Sequence, residues 1–443
     1  MSSVIDVIQR ESPEQRQAFI VNALNVSFGD LIVSQPDAIR GKFRKMAASA
    51  FTFYRGSACL YYADMARDSD PFLDEKTSRI WIHGDLHAEN FGTYLNGAGI
   101  FVFDVNDFDE AYVGAFTWDL KRLLTSLALI GYQKVLSDEQ IREMMSTCLQ
   151  SYMKQVETFA KNPETQAFAL TAQNTSGKLK EILQQTRLST RIGLLDRLTT
   201  IENYDRHISL NSRVKAIDAK TRTKVEKAFE KYLETIPAGK RESALNYRIK
   251  DVTVTYGIGI GSAGVRTFTI LVEGPSQALE NDILLSMKTA RTAAPSRAVQ
   301  DEDVRNYFLH DGHRTVISQR ALQAHSSPWL GFTSFENDGQ LVAEIAPYEN
   351  ELEWDDINQM DEILEVCSYL GQATAKIHCI GDQDSDQSLV NFSIDQALVK
   401  AWDGRKKKFL KAMLDFSEHY AAITREDYHL FVDAFRNGKF AGL

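Results

Sequence analysis

Two groups of polar residues near the front of the chain have the types and spacing needed for phosphoryl transfer. Asp85 and Asn90 stand five positions apart in the segment His83 to Asn90, and Asp107 and Asp109 follow further along. Phosphoryl transfer needs a carboxylate that orients the acceptor hydroxyl, together with oxygen ligands for one or two Mg²⁺ ions. An aspartate followed at this distance by an asparagine is typical of loops that supply both. These residues therefore predict a phosphoryl-transfer site.

A predicted β-hairpin connects the two groups. Phe91 to Tyr94 and Ile100 to Val105 are rich in β-branched and aromatic residues, and a turn sequence, Asn96-Gly97, separates them. A hairpin at this point would reverse the chain. We therefore expect Asp107 to lie beside Asn90.

Each polar residue has an expected role. Asp85 is predicted to orient the acceptor hydroxyl through its position more than through strong basicity. Asn90 and Asp107 are expected to bind Mg²⁺ or Mn²⁺ through oxygen, with Asp109 as a second ligand or a hydrogen-bonding support. His83 is expected to hold the loop by hydrogen bonds.

A zinc site is the alternative for this segment, because His87 lies four residues after His83. Gly84 disfavours a helix that would align the two imidazoles, and no third nitrogen or sulfur ligand is near in sequence. Oxygen donors dominate the segment, which favours Mg²⁺ or Mn²⁺ over Zn²⁺. His87 is therefore assigned a supporting role.

A glycine-rich segment in the middle of the chain supplies a second set of candidate residues. Residues 259–264 read Gly-Ile-Gly-Ser-Ala-Gly and precede the strand-forming run Val265 to Val272, so they are expected at the tip of a hairpin. Glycine lets the backbone approach phosphate oxygens and direct N–H groups toward them. An ordinary glycine-rich turn is the alternative. The residues predicted to contact nucleotide phosphates are Gly259, Gly261, Ser262 and Gly264.

Lys288 is the expected cation for the same phosphates. It ends a short apolar strand, from which its ammonium could reach the α- and β-phosphates, although a solvated lysine is the alternative. Its partner should be an acid on the following helix. Glu302 is available near the start of that helix, and Gln319 could replace an acid as a neutral hydrogen-bonding partner.

Length and composition are those of an ordinary globular protein. The 443 residues are 44% hydrophobic and 25% charged, which is enough for two lobes with a core each. The four cysteines form no C-x-x-C pair, so neither a disulfide framework nor a zinc ribbon is expected. The net charge of −10 argues against general nucleic-acid binding. No export signal and no apolar run of membrane-spanning length is apparent, so we expect a cytoplasmic protein without a membrane partner.

The predicted elements divide the chain into three parts. Helices are expected over residues 13–67, 118–133 and on to about 235, strands over 252–258, 265–272, 283–288 and 341–345, and helices over 300–324, 356–378 and 394–435. Residues 1–245 are therefore expected to form the first part of a helical lobe, with the catalytic and metal-binding residues. Residues 246–350 would form a β-rich nucleotide lobe, and 351–443 would complete the helical lobe.

Several motifs resemble known families. His83 to Asn90 resembles the catalytic loop of aminoglycoside phosphotransferases and choline kinases, and Asn106 to Asp109 resembles their metal-binding D-x-D. Leu370 to His378 is similar to the helix that precedes the catalytic loop in those enzymes. Together with Phe51 to Gly56 and Trp118 to Arg122, these motifs resemble a bacterial domain-of-unknown-function family (number 2252) of the protein-kinase-like superfamily.

The resemblance implies an α+β, two-lobed, protein-kinase-like fold with a small antiparallel β lobe and a large helical lobe. The order would be circularly permuted, because the catalytic loop precedes the glycine-rich segment, unless that segment belongs to an unrelated domain. The resemblance further implies that Asp119 braces the catalytic loop. Arg55 would supply positive charge to a substrate or to a structural acid. Ala346 and Tyr348 would belong to a hinge that offers backbone groups to adenine.

The sequence therefore predicts an ATP-dependent phosphotransferase that moves the γ-phosphoryl group of Mg-ATP to a hydroxyl of a small-molecule acceptor. Asp85 and Lys288 would be its catalytic residues. One alternative is transfer of a nucleotidyl (AMP) group from the same pocket, and another is a nucleotide-binding pseudokinase scaffold. The identity of the acceptor and the oligomeric state stay open.

Overall fold

A computed structural model describes residues 3–162, 168–241, 244–257, 263–383, 385 and 388–443. Its helices are α1 (Val4–Ile8), α2 (Pro13–Ser34), α3 (Pro36–Met46), α4 (Ala50–Gly56), α5 (Ala58–Met65), α6 (Phe116–Gln133), α7 (Asp138–Phe159), α8 (Gly177–Thr186), α9 (Arg191–Leu198), α10 (Ala219–Thr235), α11 (Pro295–Ala298), α12 (Glu302–Tyr307), α13 (Asp311–Leu322), α14 (Met360–Ile380), α15 (Ile394–Trp402) and α16 (Lys406–Arg436). Its strands are β1 (Ile80–Ile82), β2 (Phe91–Leu95), β3 (Phe101–Val105), β4 (Tyr112–Gly114), β5 (Thr199–Glu202), β6 (Asp205–Ile208), β7 (Lys215–Ala216), β8 (Ile249–Tyr256), β9 (Arg266–Val272), β10 (Ile283–Thr289), β11 (Gly331–Phe335) and β12 (Asp338–Glu344). The protein is therefore α+β.

The hairpin expected after the catalytic loop is confirmed. Strands β2 and β3 pair antiparallel, with Phe91 opposite Val105. The Asn96 side chain accepts the N–H groups of Ala98 and Ile100, both at 3.0 Å, and so closes the turn. The hairpin therefore brings Val105, at the end of β3, back beside Phe91, at the start of β2.

Six antiparallel strands form the main sheet, in the order β11-β12-β10-β9-β8-β7. Strands β8 and β9 form the hairpin expected around the glycine-rich segment, and Gly264 donates its N–H to Gly257 at 2.9 Å near the tip. Strand β10 lies beside β9 and ends just after Lys288. The two strands that flank the glycine-rich segment thus lie in the same sheet as the strand that contains Lys288.

Part of the segment 1–245 packs on this sheet and not among the helices. Strand β7 extends the sheet by pairing with β8. Val225, Phe229 and Tyr232 of α10 are buried against Phe268 and Ile270 of β9. The apolar side chains of α10 recur at helical spacing and so give that helix a face to bury. The charged side chains between them stay outside.

The helical core positions the elements that surround the catalytic loop. Helix α14 packs closely along α7, since a Cβ atom at Gly371 would lie 2.1 Å from the Cys148 carbonyl oxygen. Helix α6 packs between α7 and α16, and Leu120, Leu123 and Leu127 are buried. The four cysteines are free. This core holds α6 rigidly below the loop that contains Asp85.

By length and composition alone, one described helix, α2, is apolar enough to cross a membrane. A buried arginine of this helix forms ion pairs with two acidic residues elsewhere in the protein. Arg16 lies 2.7 Å from carboxylate oxygens of both Asp64 and Asp427. Helix α2 also packs against α3, α5 and α16. These contacts make α2 an integral helix of the globular structure.

Candidate active site

Polar residues from distant parts of the sequence meet in one cleft. Asp85, Asp107 and Asp109 come from the segments on either side of the β2–β3 hairpin. Lys288 comes from β10 in the main sheet. The expected meeting of a carboxylate group near the front of the chain with a cation from its middle is therefore present in the structure.

Asp85 is held by a buried arginine that the sequence analysis did not single out. Arg122 of α6 donates from Nε to Asp85 Oδ1 at 2.8 Å and makes a second contact from Nη2 to the same oxygen. Its guanidinium is inaccessible to solvent and lies over the Tyr54 ring at 4.5 Å. Burial works to lower the pKa of Arg122, but the Asp85 carboxylate overcomes it and the net shift is upward. The pair fixes one oxygen of Asp85 and leaves the other, Oδ2, free of this arginine.

Asp119, also on α6, holds the loop from His83 to Asn90 in place. Its carboxylate accepts the backbone N–H of His83 at 2.6 Å and that of Gly84 at 3.0 Å. Gly84 has a φ of +80°, and a Cβ atom there would lie 2.0 Å from the carbonyl oxygen of Glu110. The His83 ring nitrogen Nε2 is 2.7 Å from the Asn106 carbonyl oxygen. These bonds tie the loop to the helix and to the segment after β3.

His87 is a buried residue whose ring lies near Asp85. Burial, followed by the positive charges of Arg122 and Arg55, holds the pKa of His87 well below its usual value. The neutral ring accepts the Glu89 N–H at Nδ1, which places its own proton on Nε2. That nitrogen lies 4.0 Å from Asp85 Oδ2. His87 thus supports the loop as a neutral imidazole.

The predicted metal ligands lie together at the base of the cleft. The Asn90 side chain donates from Nδ2 to the Asp85 carbonyl at 2.9 Å, which fixes the orientation of its amide. The Asp107 backbone has a φ of +54°, a left-handed conformation that is unusual for aspartate. Desolvation in the cleft and the neighbouring Asp109 carboxylate raise the pKa of Asp107. Two carboxylates and one amide oxygen are therefore available as hard oxygen donors.

Within the described residues, no group of three or more histidine, cysteine, aspartate and glutamate side chains is arranged to hold a metal ion. The oxygen donors of the cleft fit a Mg²⁺ ion that also binds oxygens of a substrate. Mg²⁺ in nucleotide sites uses one or two carboxylates and takes further oxygens from phosphates and water. Asn90, Asp107 and Asp109 match that pattern.

Lys288 is paired with Asp109, and neither partner named from the sequence contacts it. Its ammonium donates a hydrogen bond to Asp109 Oδ2. Glu302 is exposed at the start of α12, and Gln319 donates its amide to Gln323. Burial works to raise the pKa of Asp109, but Lys288 overcomes it and holds the pKa low. The prediction of a partner on the following helix was therefore wrong.

The other predicted residues are placed as follows. Gly259, Gly261 and Ser262 lie outside the described residues. Gly264 has a φ of +75°, and a Cβ atom there would lie 3.1 Å from the Gln35 side chain, so this end of the hairpin lies against the junction of α2 and α3. Arg55 lines the cleft and pairs with Glu89 at 2.6 Å.

The predicted hinge residues do not line the cleft. Ala346 and Tyr348 follow β12, where the chain leaves the main sheet. The Tyr348 carbonyl accepts the Thr93 hydroxyl at 2.9 Å, and its ring lies 5.3 Å from that of Phe101. This segment joins the sheet to the β2–β3 hairpin.

Several charged residues of the cleft were not predicted from the sequence. Burial raises the pKa of Glu110 to about 7, and its carboxylate accepts the Ala294 N–H. Burial also lowers the pKa of Lys42 to about 8. Arg291 and Arg297, on either side of Ala294, line the same cleft. Only Arg122 could have been found from a local pattern, because it lies one helical turn after Asp119.

Comparison with known protein families gives one match. A family model described as "Uncharacterized protein conserved in bacteria (DUF2252)" matches residues 34–434. No curated protein and no solved structure matches the chain. The matched region includes the catalytic loop, the segment after β3, and Lys288.

Proposed function

The chain belongs to this bacterial family of uncharacterized proteins, and we propose that it is an ATP-dependent phosphotransferase. It would move the γ-phosphoryl group of Mg-ATP to a hydroxyl of a small molecule. The observation that carries this proposal is the meeting of Asp85, Asp107 and Lys288 in one cleft. A carboxylate for the acceptor hydroxyl, oxygen ligands for Mg²⁺ and a cation for the phosphates are the parts that this reaction needs.

We further propose a protein-kinase-like fold in circularly permuted order. In the unpermuted order, a helix would lead directly into the strand before the catalytic loop. Helix α14 ends beside Gly381, where a Cβ atom would lie 2.7 Å from the Trp81 side chain in β1. The segments that the permutation would have separated are thus neighbours in space, which supports the proposal.

In this proposal, each residue acts on a defined part of the substrates. Lys288 and the backbone of the glycine-rich segment would bind the phosphates. Mg²⁺, held by Asn90, Asp107 and the phosphates, would neutralise the charge that develops on the transferred group. The ion pair between Lys288 and Asp109 supports this arrangement, because Asp109 is close to the proposed metal ligand Asp107.

Asp85 would orient the acceptor hydroxyl through Oδ2, because Arg122 binds Oδ1. The hydroxyl oxygen forms a bond to the γ-phosphorus while the bond to the β–γ bridging oxygen breaks. The proton passes to Asp85 and then to solvent, and ADP leaves. Because Arg122 fixes one carboxylate oxygen, the contribution of Asp85 would be mainly positioning.

Binding and product analysis would test this function. Mg-ATP should raise the midpoint of thermal unfolding of the full chain, and ATP with EDTA should raise it less, because ligand binding to the folded state stabilises it. Asp107→Asn should reduce the difference between the two conditions. Mass spectrometry of the nucleotide products should show ADP. Pyrophosphate would indicate nucleotidyl transfer instead, and Mg-ATP binding without any product would indicate a scaffold.

A further inference from the structure

One wall of the cleft carries two arginines, and the acids that act electrostatically on Arg291 are Glu110, Asp30 and Asp311. Arg291 donates to the Ser27 carbonyl at 3.0 Å, and Arg297 donates to the Ser27 hydroxyl. In the part of the chain that the structure describes, neither guanidinium is paired with a carboxylate. Lys42 from α3 lines the same region. The wall is therefore able to attract an anion.

This basic wall lies next to the catalytic loop. Between the two arginines, the Ala294 N–H donates to the Glu110 carboxylate. Pro295 approaches the loop so closely that a Cβ atom at Gly84 would lie 3.1 Å from its ring. Gly84 directly precedes Asp85. A group bound by the arginines would thus be held near the carboxylate that orients the acceptor.

The cation proposed for the nucleotide phosphates has a different partner from the two arginines. Lys288 is paired with Asp109 beside Asp107, where the metal and phosphates are proposed to bind. Arg291 and Arg297 instead contact Ser27 in α2. The arginines are therefore not needed to hold the Lys288–Asp109 pair.

Helices α2 and α3 cover this side of the cleft. Phe28 of α2 lines it, with the Lys42 ammonium 4.4 Å from the centre of the Phe28 ring. The junction of the two helices touches the glycine hairpin near Gly264. The cleft opens to solvent beside Arg297, which is exposed, and a concave site of this kind suits a small molecule better than an extended polypeptide.

We propose that Arg291 and Arg297 bind an anionic group of the acceptor, either a phosphate or a carboxylate. The planar guanidinium fork matches both groups and can bind them through two parallel hydrogen bonds. The acceptor is then a small molecule that carries an anionic group and, within reach of Asp85, the hydroxyl to be phosphorylated. This inference rests on the proposed phosphotransferase function.

Anion binding can be measured apart from turnover. Inorganic phosphate should bind the full chain in the presence of Mg²⁺ and a non-hydrolysable ATP analogue, and calorimetry would follow it. The double variant Arg291→Gln/Arg297→Gln should weaken phosphate binding about tenfold or more. Its affinity for the ATP analogue should stay within about twofold. Arg425→Gln, which removes an arginine outside the cleft that stacks on Tyr132, is the matched control.

Matched acceptor pairs provide a second measurement. ADP release with glycerol 3-phosphate should exceed release with glycerol, and release with glucose 6-phosphate should exceed release with glucose. The double variant should lose this preference. Ser27→Ala removes the hydroxyl bound by Arg297 and leaves both guanidinium groups, and the contact of Arg291 with the Ser27 backbone carbonyl also remains. Arg297→Gln should therefore lose more of the preference than Ser27→Ala. An equal loss in these two single variants would show that Arg297 only holds α2, which would overturn the inference.

Other outcomes separate this inference from the proposed function. An equal loss of ATP-analogue affinity and phosphate affinity in the double variant would assign the arginines to the nucleotide and overturn the inference alone. Failure of the wild-type protein to bind inorganic phosphate, with Mg-ATP binding intact, would also overturn it alone. Arginine-dependent phosphate binding by a protein that does not bind Mg-ATP would support the anion site and reject the phosphotransferase.

Discussion

Lys288 of strand β10 donates a hydrogen bond to Asp109, which lies 179 residues earlier in the sequence. The pair connects the main sheet to the segment that follows the β2–β3 hairpin. Asp109 is adjacent in space to Asp107, and the two carboxylates interact electrostatically. A metal–triphosphate complex could occupy this site. The phosphates would replace Asp109 as the partner of Lys288, and the metal ion would bind the two carboxylates.

Lys288→Met should weaken Mg-ATP binding by about tenfold or more, because it removes the proposed phosphate cation. Calorimetry with Mg-ATP would measure the change. Lys406→Met is the matched control, since Lys406 pairs with Glu157 on the outside of the helical part. Equal affinity in Lys288→Met and wild type would remove Lys288 from the nucleotide site.

Asp85→Asn should lower turnover by roughly 10²- to 10⁴-fold while Mg-ATP binding stays within a few-fold. The amide oxygen can still accept from Arg122, so the variant should remain folded. Asp85→Ala should in addition lower the free energy of unfolding by up to about 3 kcal/mol, because it leaves the buried Arg122 guanidinium without its carboxylate partner. Urea unfolding and ADP release would be measured on both variants. Turnover at the wild-type rate in Asp85→Asn would reject the assigned role.

Local patterns were sufficient to predict the elements that form the cleft. The alternation of apolar residues and the turn sequence at Asn96 predicted the β2–β3 hairpin, and the strand-forming run after Gly264 predicted a hairpin in place of a helix. Short strands such as β5, β7 and β11 were missed, because a few residues carry too little periodicity to distinguish them from loops.

Long-range pairings could not be read from the sequence. Nothing local to Lys288 indicates Asp109 as its partner, since the contact depends on how the sheet docks on the helical part. The same holds for Arg291 and Arg297, whose surroundings come from the distant residue Ser27. Arg122 is an intermediate case: its helical spacing from Asp119 places it on the same face, but only the fold shows that this face lies below Asp85.

Asp119→Asn should lower the rate of ADP release more than it lowers Mg-ATP affinity. The carboxylate accepts two backbone N–H groups of the loop, and an amide oriented for one of them would turn its own N–H₂ toward the other. The loop would then lose its fixed position without losing any group that contacts the nucleotide. A comparison of kcat with KM for ATP would measure the effect, and an equal loss in both parameters would contradict it.

Glu110→Gln should change how stability depends on pH. Burial raises the pKa of Glu110 to about 7 from 4.5, so the folded protein binds this proton more tightly than the unfolded chain does. The stability that the protonated Glu110 carboxyl contributes is fully present below pH 4.5 and is lost as pH rises through 7. The charged groups that act on this carboxyl include Asp85, Asp109, Arg314, Lys42, Arg291 and Lys288.

The glutamine variant has no proton to lose and its side-chain oxygen can still accept the Ala294 N–H. The free energy of unfolding of the variant, measured relative to that of wild type, should therefore rise from pH 5 to pH 8 by at most about 3 kcal/mol. Urea unfolding across this range would measure the difference. Glu302→Gln, which removes an exposed carboxylate at the start of α12, is the control. A constant stability difference between Glu110→Gln and wild type from pH 5 to pH 8 would show that Glu110 is charged throughout, because only a group that takes up a proton on folding makes that difference change with pH.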